Sequence, residues 1–203
     1  MLKKAFPIYF LFCLLATAFA PAPLQAGEYV YDGAESRVSF ALIHLGIITA
    51  RGRFQDFSGS FRFNSKEVGN SYVDIRIKTA SVESDSAKRD ENLCSDKFFW
   101  SEKYPEIRFT SRQFKETGGM NFDIEGELTI RGITRPVVFR TRFLSEPVEA
   151  EAGRPLRFHA ETDIRRKDFE LGTKGDPVVF ITNEILKITL EVEGRPLRSG
   201  QGA

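Results

Sequence analysis

Apolar and polar residues alternate along most of this chain, and this pattern constrains the fold more than any other feature. In the segment YVDIRIKT, residues 72–79, the apolar residues Val73, Ile75 and Ile77 alternate with charged ones. Successive side chains of a β-strand point to opposite faces, so the pattern indicates a strand buried on one face. Seven further segments show it, at residues 36–44, 49–63, 106–111, 122–130, 137–143, 157–164 and 186–192. The chain is therefore predicted to be all-β, with eight strands.

The segment 49–63 carries a change of phase that bears on how the sheet closes. Its apolar residues occupy even positions up to Phe54 and odd positions from Phe57 onward. One extra residue near Gln55 and Asp56 restores a single buried face, which is the effect of a β-bulge. Eight antiparallel strands with one apolar face form either a sandwich or a closed barrel. The bend that a bulge adds favours the barrel.

The other strand boundaries follow from turn residues and prolines. Pro105 and Pro136 are each expected at the start of a strand, where a missing amide donor is tolerated. One long interruption, residues 80–104, separates the strands, and Ser86 is expected to N-cap a short helix that ends at Leu93. The predicted fold is an eight-stranded antiparallel barrel with one short helix in its long crossover.

The N-terminus has the features of a secretory signal peptide. Lys3 and Lys4 precede an apolar run that is too short for a membrane anchor, and the small residue Ala26 suits the cleavage position. We expect cleavage after residue 26, export of the protein, and one barrel domain over residues 27–203. No integral membrane segment is expected after cleavage.

Charge and cysteine content narrow the function classes. Loss of Lys3 and Lys4 with the leader lowers the basic residues from 29 to 27, against 28 acidic residues. This balance argues against a nucleic-acid partner, which selects a basic excess. Cys13 is lost with the leader, so Cys94 has no partner for an intramolecular disulfide. The sequence leaves open whether the protein is a monomer or a homodimer.

Few residues suggest catalysis or metal binding. Cys94 is expected at the C-terminal end of the predicted helix, where the helix dipole disfavours a thiolate. The only two histidines, His44 and His159, fall on different strands without a ligand-spaced partner motif. No enzyme activity, cofactor or metal is therefore expected. The alternatives are a small exported enzyme that uses Cys94 or His44, or an interaction module with a filled barrel.

Five stretches, in order along the chain, resemble one known family. They are VSFALIHLGIITARGRFQDFSGSFRF (38–63), TASVESDSAKRDENLCSDKFFWSEKYPEIRFTS (79–111), GELTIRGITRPV (126–137), RRKDFELGT (165–173) and ILKITLEVEG (185–194). Together they are similar to the YceI-like family of exported, lipocalin-like polyisoprenoid-binding proteins. Arg89, Asp90, Leu93 and Phe98 match the family's crossover pattern. Asn92, Cys94 and Glu35 depart from it.

The resemblance implies a periplasmic, lipocalin-like barrel that binds, transports or sequesters a long apolar amphiphile. This ligand would be a polyisoprenoid, a quinone-like molecule or a fatty-acid derivative. The inward residues are predominantly apolar, and small ones such as Gly52, Gly126 and Ala160 are expected to leave room for an apolar chain. The ligand-contacting residues predicted on the strands are Phe40, Leu42, His44, Phe54, Phe57, Ile75, Ile77, Phe109, Phe122, Leu128 and Phe158.

The crossover supplies the remaining predicted site residues. Phe98 and Phe99, or one of them, are expected to turn into the barrel mouth, with Trp100 more peripheral. Arg89 and Lys167 are expected at the rim, where either could bind an anionic head group. The alternative is that Arg89 only pairs with an acidic neighbour and that the aromatic rings plug the core.

Overall fold

The structure is a computed structural model, which describes residues 27–31, 34–44, 47–64, 67–145, 155–172 and 185–196. The predicted signal peptide, residues 1–26, lies outside the described residues. Within the described ranges, no helix has the length and apolar character needed to cross a membrane.

The described part of the chain is built of short strand segments and one α-helix, named in chain order. The strands are β1 (Gly27–Tyr31), β2 (Arg37–His44), β3 (Ile47–Phe54), β4 (Phe57–Phe63), β5 (Tyr72–Lys78), β6 (Val82–Glu83), β7 (Glu106–Gly118), β8 (Asn121–Ile130), β9 (Ile133–Phe143), β10 (Leu156–Arg165) and β11 (Ile185–Pro196). Helix α1 spans Ala87–Cys94, and 3₁₀ turns span Val68–Asn70, Thr79–Ser81 and Arg166–Phe169.

These segments form a closed antiparallel barrel of eight strands. Three of the eight are each made of two consecutive segments: β1 with β2, β3 with β4, and β5 with β6. Both β1 and β2 pair with β11, which closes the ring that runs through β3/β4, β5/β6, β7, β8, β9 and β10. The eight-stranded barrel and its crossover helix are thus confirmed.

The predicted change of phase coincides with a corner in the barrel wall. Strand β3 ends at Phe54 and β4 begins at Phe57, so Gln55 and Asp56 form the corner. The amide of Gln55 donates to the carbonyl of Ser81 at 3.1 Å, and the amide of Asp56 donates to the Ser81 hydroxyl at 3.0 Å. Because Ser81 belongs to the corner between β5 and β6, two neighbouring strands bend at the same level.

Three boundaries differ from the sequence prediction. Strand β1 was not predicted, because its five residues directly follow the leader and are too few to show a clear alternation. Pro136 was predicted at a strand start but is the fourth residue of β9, opposite Glu127 of β8. The helix begins after Ser86, as predicted, and ends one residue later, at Cys94.

The inward faces of the strands pack into one hydrophobic core. Gly52 and Gly126 do not leave open space in it, contrary to expectation. A Cβ on Gly52 would lie 2.8 Å from Cε1 of Phe40, and one on Gly126 would lie 2.6 Å from the ring of Phe109. These glycines accommodate phenylalanine rings of the protein itself. The barrel is therefore filled by its own aromatic side chains.

Candidate functional site

The crossover between β6 and β7 covers one end of the barrel, here called the mouth. Arg131, at the turn between β8 and β9, fixes it by donating from Nη1 to three backbone carbonyls. The acceptors are Phe98 at 2.7 Å, Asp96 at 3.1 Å and Glu170 at 3.2 Å. The amide of Gly172 also donates to the carbonyl of Lys97 at 2.8 Å. The crossover is thus bound both to the barrel wall and to the segment that follows β10.

Two aromatic rings of the crossover point into the barrel. Phe99 is only 1% exposed, and its ring centroid lies 5.4 Å from that of Phe54 and 6.0 Å from that of Phe40. Phe98 packs edge-on against Phe99, with centroids 4.8 Å apart, and is also buried. Trp100 is half-buried and its backbone has a positive φ of 53°. Inward burial of Phe98 and Phe99 fits both the predicted lid and the alternative that these rings plug the core.

A pocket of about 380 Å³ lies between α1 and the barrel rim. Its volume falls within the range of small-molecule binding sites. We call it the mouth pocket, and it is lined by Phe40, Leu42, Ala50, Arg89, Asn92, Leu93, Lys97, Phe98, Arg166, Gly172 and Leu186. Its lining combines an apolar surface with three cationic side chains, a combination that suits an anionic amphiphile.

The three cations of the mouth pocket differ in their surroundings. Arg89 forms an ion pair with Asp85, four residues earlier, and it also lines the pocket. The alternative hypothesis for Arg89 predicted such a pairing with an acidic neighbour. Arg166 is 7% exposed, and its Cζ lies 5.2 Å from the centre of the Phe98 ring. Lys97 is exposed. A buried guanidinium against an aromatic ring is therefore positioned between solvent and the core.

A second, inner cavity lies deeper in the barrel and measures about 30 Å³. This is about the volume of one water molecule in the liquid. Phe99 lines it together with Phe54, Phe109 and other wall residues, whereas Phe40 and Leu186 line both this cavity and the mouth pocket. The interior therefore has almost no spare volume in this state.

The structure divides the predicted ligand-contacting residues into groups. Phe40, Leu42, Arg89 and Phe98 line the mouth pocket, and Phe40, Phe54, Ile77, Phe99, Phe109 and Leu128 line the inner cavity. Phe122 and Phe158 pack in an aromatic cluster with Phe143. Ile75 is buried on β5 and Phe57 is half-buried, and neither lines the two spaces. His44 ends β2, and its side chain lies outside what the structure describes.

The structure corrects the prediction for Lys167. Lys167 is exposed and is not among the residues that line the mouth pocket, whereas its neighbour Arg166 is. Residues 166–169 form a 3₁₀ turn, in which positions three apart share a side. Arg166 and Phe169 are therefore both buried, and Lys167 points away. The sequence could not show which of the adjacent cations, Arg166 or Lys167, faces the mouth pocket, because this depends on the local turn geometry.

Of the two residues in the enzyme hypothesis, Cys94 and His44, the structure describes only the side chain of Cys94. Cys94 is half-buried at the C-terminal end of α1, packed against the core. His159 lies on β10, with its Nε2 3.0 Å from a carboxylate oxygen of Glu161. Among the described residues, no group of three or more histidine, cysteine, aspartate or glutamate side chains is placed to hold a metal ion.

Comparison with known proteins identifies the family. The model of the YceI-like domain matches residues 29–194, which include the whole described barrel wall except its ends. The chain belongs to the YceI-like family. A UPF0312 protein of Pseudomonas putida is 35% identical to this YceI-like chain. The match covers 96% of this chain and 98% of the relative.

Solved structures share the YceI-like barrel. Burkholderia cenocepacia BcnA matches with a TM-score of 0.72 at 21% identity, over 80% of this chain and 98% of that one. A polyisoprenoid binding domain from Saccharophagus degradans, implicated in plant cell wall breakdown, matches with a TM-score of 0.56 at 15% identity. That match covers 86% of this chain and 100% of the other. At these identities both structures show the fold.

Proposed function

We propose that this YceI-like protein binds an anionic amphiphile, with the head group in the mouth pocket and a long apolar chain directed into the barrel. The observation that carries the proposal is the mouth pocket itself, where three cations stand above an apolar floor. Two family-level facts support it: the chain belongs to the YceI-like family, and the Saccharophagus degradans barrel is a polyisoprenoid binding domain. An isoprenoid or fatty chain with a phosphate or carboxylate head fits this description.

The head group is proposed to contact Arg89, Lys97 and Arg166. A guanidinium binds a phosphate or carboxylate through two parallel hydrogen bonds, and such charge-assisted bonds are stronger than neutral ones. Burial strengthens the interaction at Arg166, because water screens a buried charge less than an exposed one.

The chain is proposed to enter by displacing Phe98 and Phe99. The inner cavity of about 30 Å³ cannot hold a long chain unless side chains move. Most aromatic rings of the core stand on strands, so their displacement would disturb the sheet. Phe98 and Phe99 instead belong to the crossover, outside the hydrogen-bonded wall. These two rings can leave the interior without breaking a strand pair.

The test compares variants of adjacent residues against two ligands that share one tail. Binding of a long-chain alkyl phosphate is measured by calorimetry for Arg166→Gln and Arg89→Gln, with Lys167→Gln as the matched control. We expect each pocket variant to lose about tenfold in affinity, the equivalent of one charge-assisted hydrogen bond. Lys167→Gln should bind normally, and the corresponding alcohol should bind all variants alike. Equal binding of the phosphate by every variant would remove the head-group assignment.

Binding, rather than catalysis, is proposed as the activity. Cys94→Ser is expected to leave ligand affinity and stability nearly unchanged, because the side chain is only partly buried and does not line the apolar inner cavity. Loss of a measurable turnover in that variant would favour an enzyme instead. We also propose that the protein acts in the periplasm after export. Cell fractionation and a mature N-terminus at Gly27 would support this, whereas a cytoplasmic protein that keeps its first 26 residues would contradict it.

A further inference from the structure

The wall of the barrel is only partly paired between β9 and β10. Paired positions run from Phe143 opposite Phe158 to Arg140 opposite Glu161, and the pairing ends there. Beyond this point β9 continues to Ile133 with β8 on its other side, and β10 continues with β11. Over residues 133–139 and 162–165, here called the β9–β10 seam, each strand therefore has one edge that pairs with no other strand in the described part of the chain.

Backbone groups of the seam point into this opening. The amide of Phe143 donates to Met120 on the β8 side, at 2.9 Å, and the amide of Leu144 donates to Arg157 on the β10 side, at 2.8 Å. Because successive residues of a strand direct their backbone groups to opposite sides, the even-numbered residues of β9 face β10. Val138 thus directs its N–H and C=O into the seam. Pro136 directs only a C=O there, which explains why proline is tolerated inside this strand.

The seam opens onto a groove of about 910 Å³ on the outside of the barrel. Ile164 and Phe169, which are 4% and 1% exposed, form part of its apolar lining. The groove and the inner cavity have no lining residue in common. The groove is therefore distinct from the proposed path of the amphiphile.

The groove also has a distinct charge pattern. Four arginines line it, and three of them form ion pairs with aspartate or glutamate side chains of the protein. Arg135 instead donates from Nη1 to the adjacent carbonyl of Thr134 at 3.2 Å. Val138, three residues further along β9, is 42% exposed and offers an apolar contact on the opposite face of the strand. Arg135 is thus placed to receive an acidic side chain.

We propose that the β9–β10 seam binds an extended peptide segment of a partner protein by strand addition. The peptide backbone pairs with β9 through the N–H and C=O of Val138. An apolar side chain of the peptide packs against the exposed Val138, and an acidic side chain on the opposite face of the peptide pairs with Arg135. Backbone pairing supplies affinity in this mode of recognition, and the alternate side chains supply specificity. This site is independent of the mouth pocket.

The test uses a library of acetylated and amidated heptapeptides in which valine, leucine or isoleucine alternates with aspartate or threonine. Binding to the full mature protein is followed by the NMR amide signals of the described strands. We expect members with Kd below about 1 mM, a weak but measurable affinity, and shifts centred on Val138. For the best member, N-methylation of the residues that face β9 should weaken binding by about tenfold, the worth of a lost hydrogen bond pair. N-methylation of the intervening residues should have less than about a twofold effect.

A charge reversal tests the acidic position, with a matched control on the same strand. Arg135→Glu should weaken the aspartate peptide and bind a peptide with lysine at that position, whereas Arg142→Glu, outside the seam, should change neither affinity. The proposal is overturned if no library member binds, or if both N-methylation patterns have the same effect. It is also overturned if the alkyl phosphate, instead of the peptides, shifts the NMR signal of the Val138 amide, because the seam would then be an entrance for lipid. Self-association that involves the seam at the same protein concentration would assign it to a second copy of this chain.

Discussion

Truncation of Phe99 probes the most buried ring of the crossover. Phe99→Ala removes a side chain that is 1% exposed and has ring neighbours at 4.8, 5.4 and 6.0 Å. Complete burial of a phenylalanine is worth about 1.5–3 kcal/mol. Each aromatic pair adds roughly 0.5–1.5 kcal/mol. The expected loss is therefore about 4 kcal/mol, within the range seen for buried Phe→Ala changes.

The assay is urea unfolding of the apo-protein, with Phe99→Leu and Trp100→Ala as controls. Phe99→Leu keeps most of the apolar volume and should cost about 1–1.5 kcal/mol. Trp100 is half-buried and outside the barrel, so its truncation should cost less than that of Phe99. A total stability of about 5–15 kcal/mol leaves the Ala variant folded or close to its threshold.

Ligand binding then separates a displaceable ring from a fixed one. If the chain of the amphiphile takes the place of Phe99, saturating ligand should restore much of the stability lost in Phe99→Ala, because the chain fills the cavity that the ring leaves. The increase in stability on binding should exceed that of the wild type. A loss below about 1 kcal/mol in the apo-protein would show that Phe99 is not packed in the core. Equal stabilisation of both proteins by the ligand would show that the chain does not reach this position.

Three further predictions concern packing, the crossover and pH. Gly126→Ala should destabilise the protein by about 1–3 kcal/mol through overpacking, since the new Cβ would lie 2.5 Å from a backbone carbonyl oxygen of β7. Gly69→Ala is the control, because its Cβ would have no atom within 4 Å, and it should leave the urea unfolding free energy unchanged. Arg131→Met should cost about 3 kcal/mol or more because it leaves three carbonyls without their charged donor, and hydrogen exchange should accelerate across residues 95–104. A hydrogen bond from Lys187 holds the pKa of Glu161 below its ordinary value of 4.5. Glu161→Gln should therefore lose up to about 1 kcal/mol at neutral pH, and its difference from wild type in urea unfolding should vanish as the pH falls through that lowered pKa.

The strand pattern was sufficient to predict the eight strands, because a period of two is a direct consequence of strand geometry. The change of phase at Gln55 and Asp56 also located a corner correctly, since a lost register leaves a visible mark in an alternating sequence. Pro136 was misplaced for a related reason. A proline indicates that an amide donor is absent, and it does not distinguish the start of a strand from an unpaired edge within one.

The mouth pocket could be predicted only in part. Phe98 and Phe99 of the crossover do turn inward, as expected from the fact that three adjacent aromatic residues cannot all point one way. The free space was overestimated, since small residues such as Gly126 indicate close packing as readily as a cavity. Leu186 was missed because it joins the pocket from β11, far along the sequence, through the closure of the barrel. Lys97 was missed although it directly precedes Phe98 in the crossover. Arg166 was missed because the side that it faces depends on a single 3₁₀ turn.

The dependence of affinity on tail length shows directly whether the barrel binds an apolar chain. Alkyl phosphates with one head group and tails of increasing length are titrated into the mature protein by calorimetry. If the barrel binds the chain, we expect the binding free energy to improve by about 0.8 kcal/mol for each buried methylene, or roughly fourfold in Kd. The heat-capacity change of binding should become more negative as the tail grows. The gain should persist beyond the tail length that the mouth pocket alone can hold, because the chain then replaces Phe99 in the barrel. An affinity that does not change with tail length would contradict a chain-binding barrel.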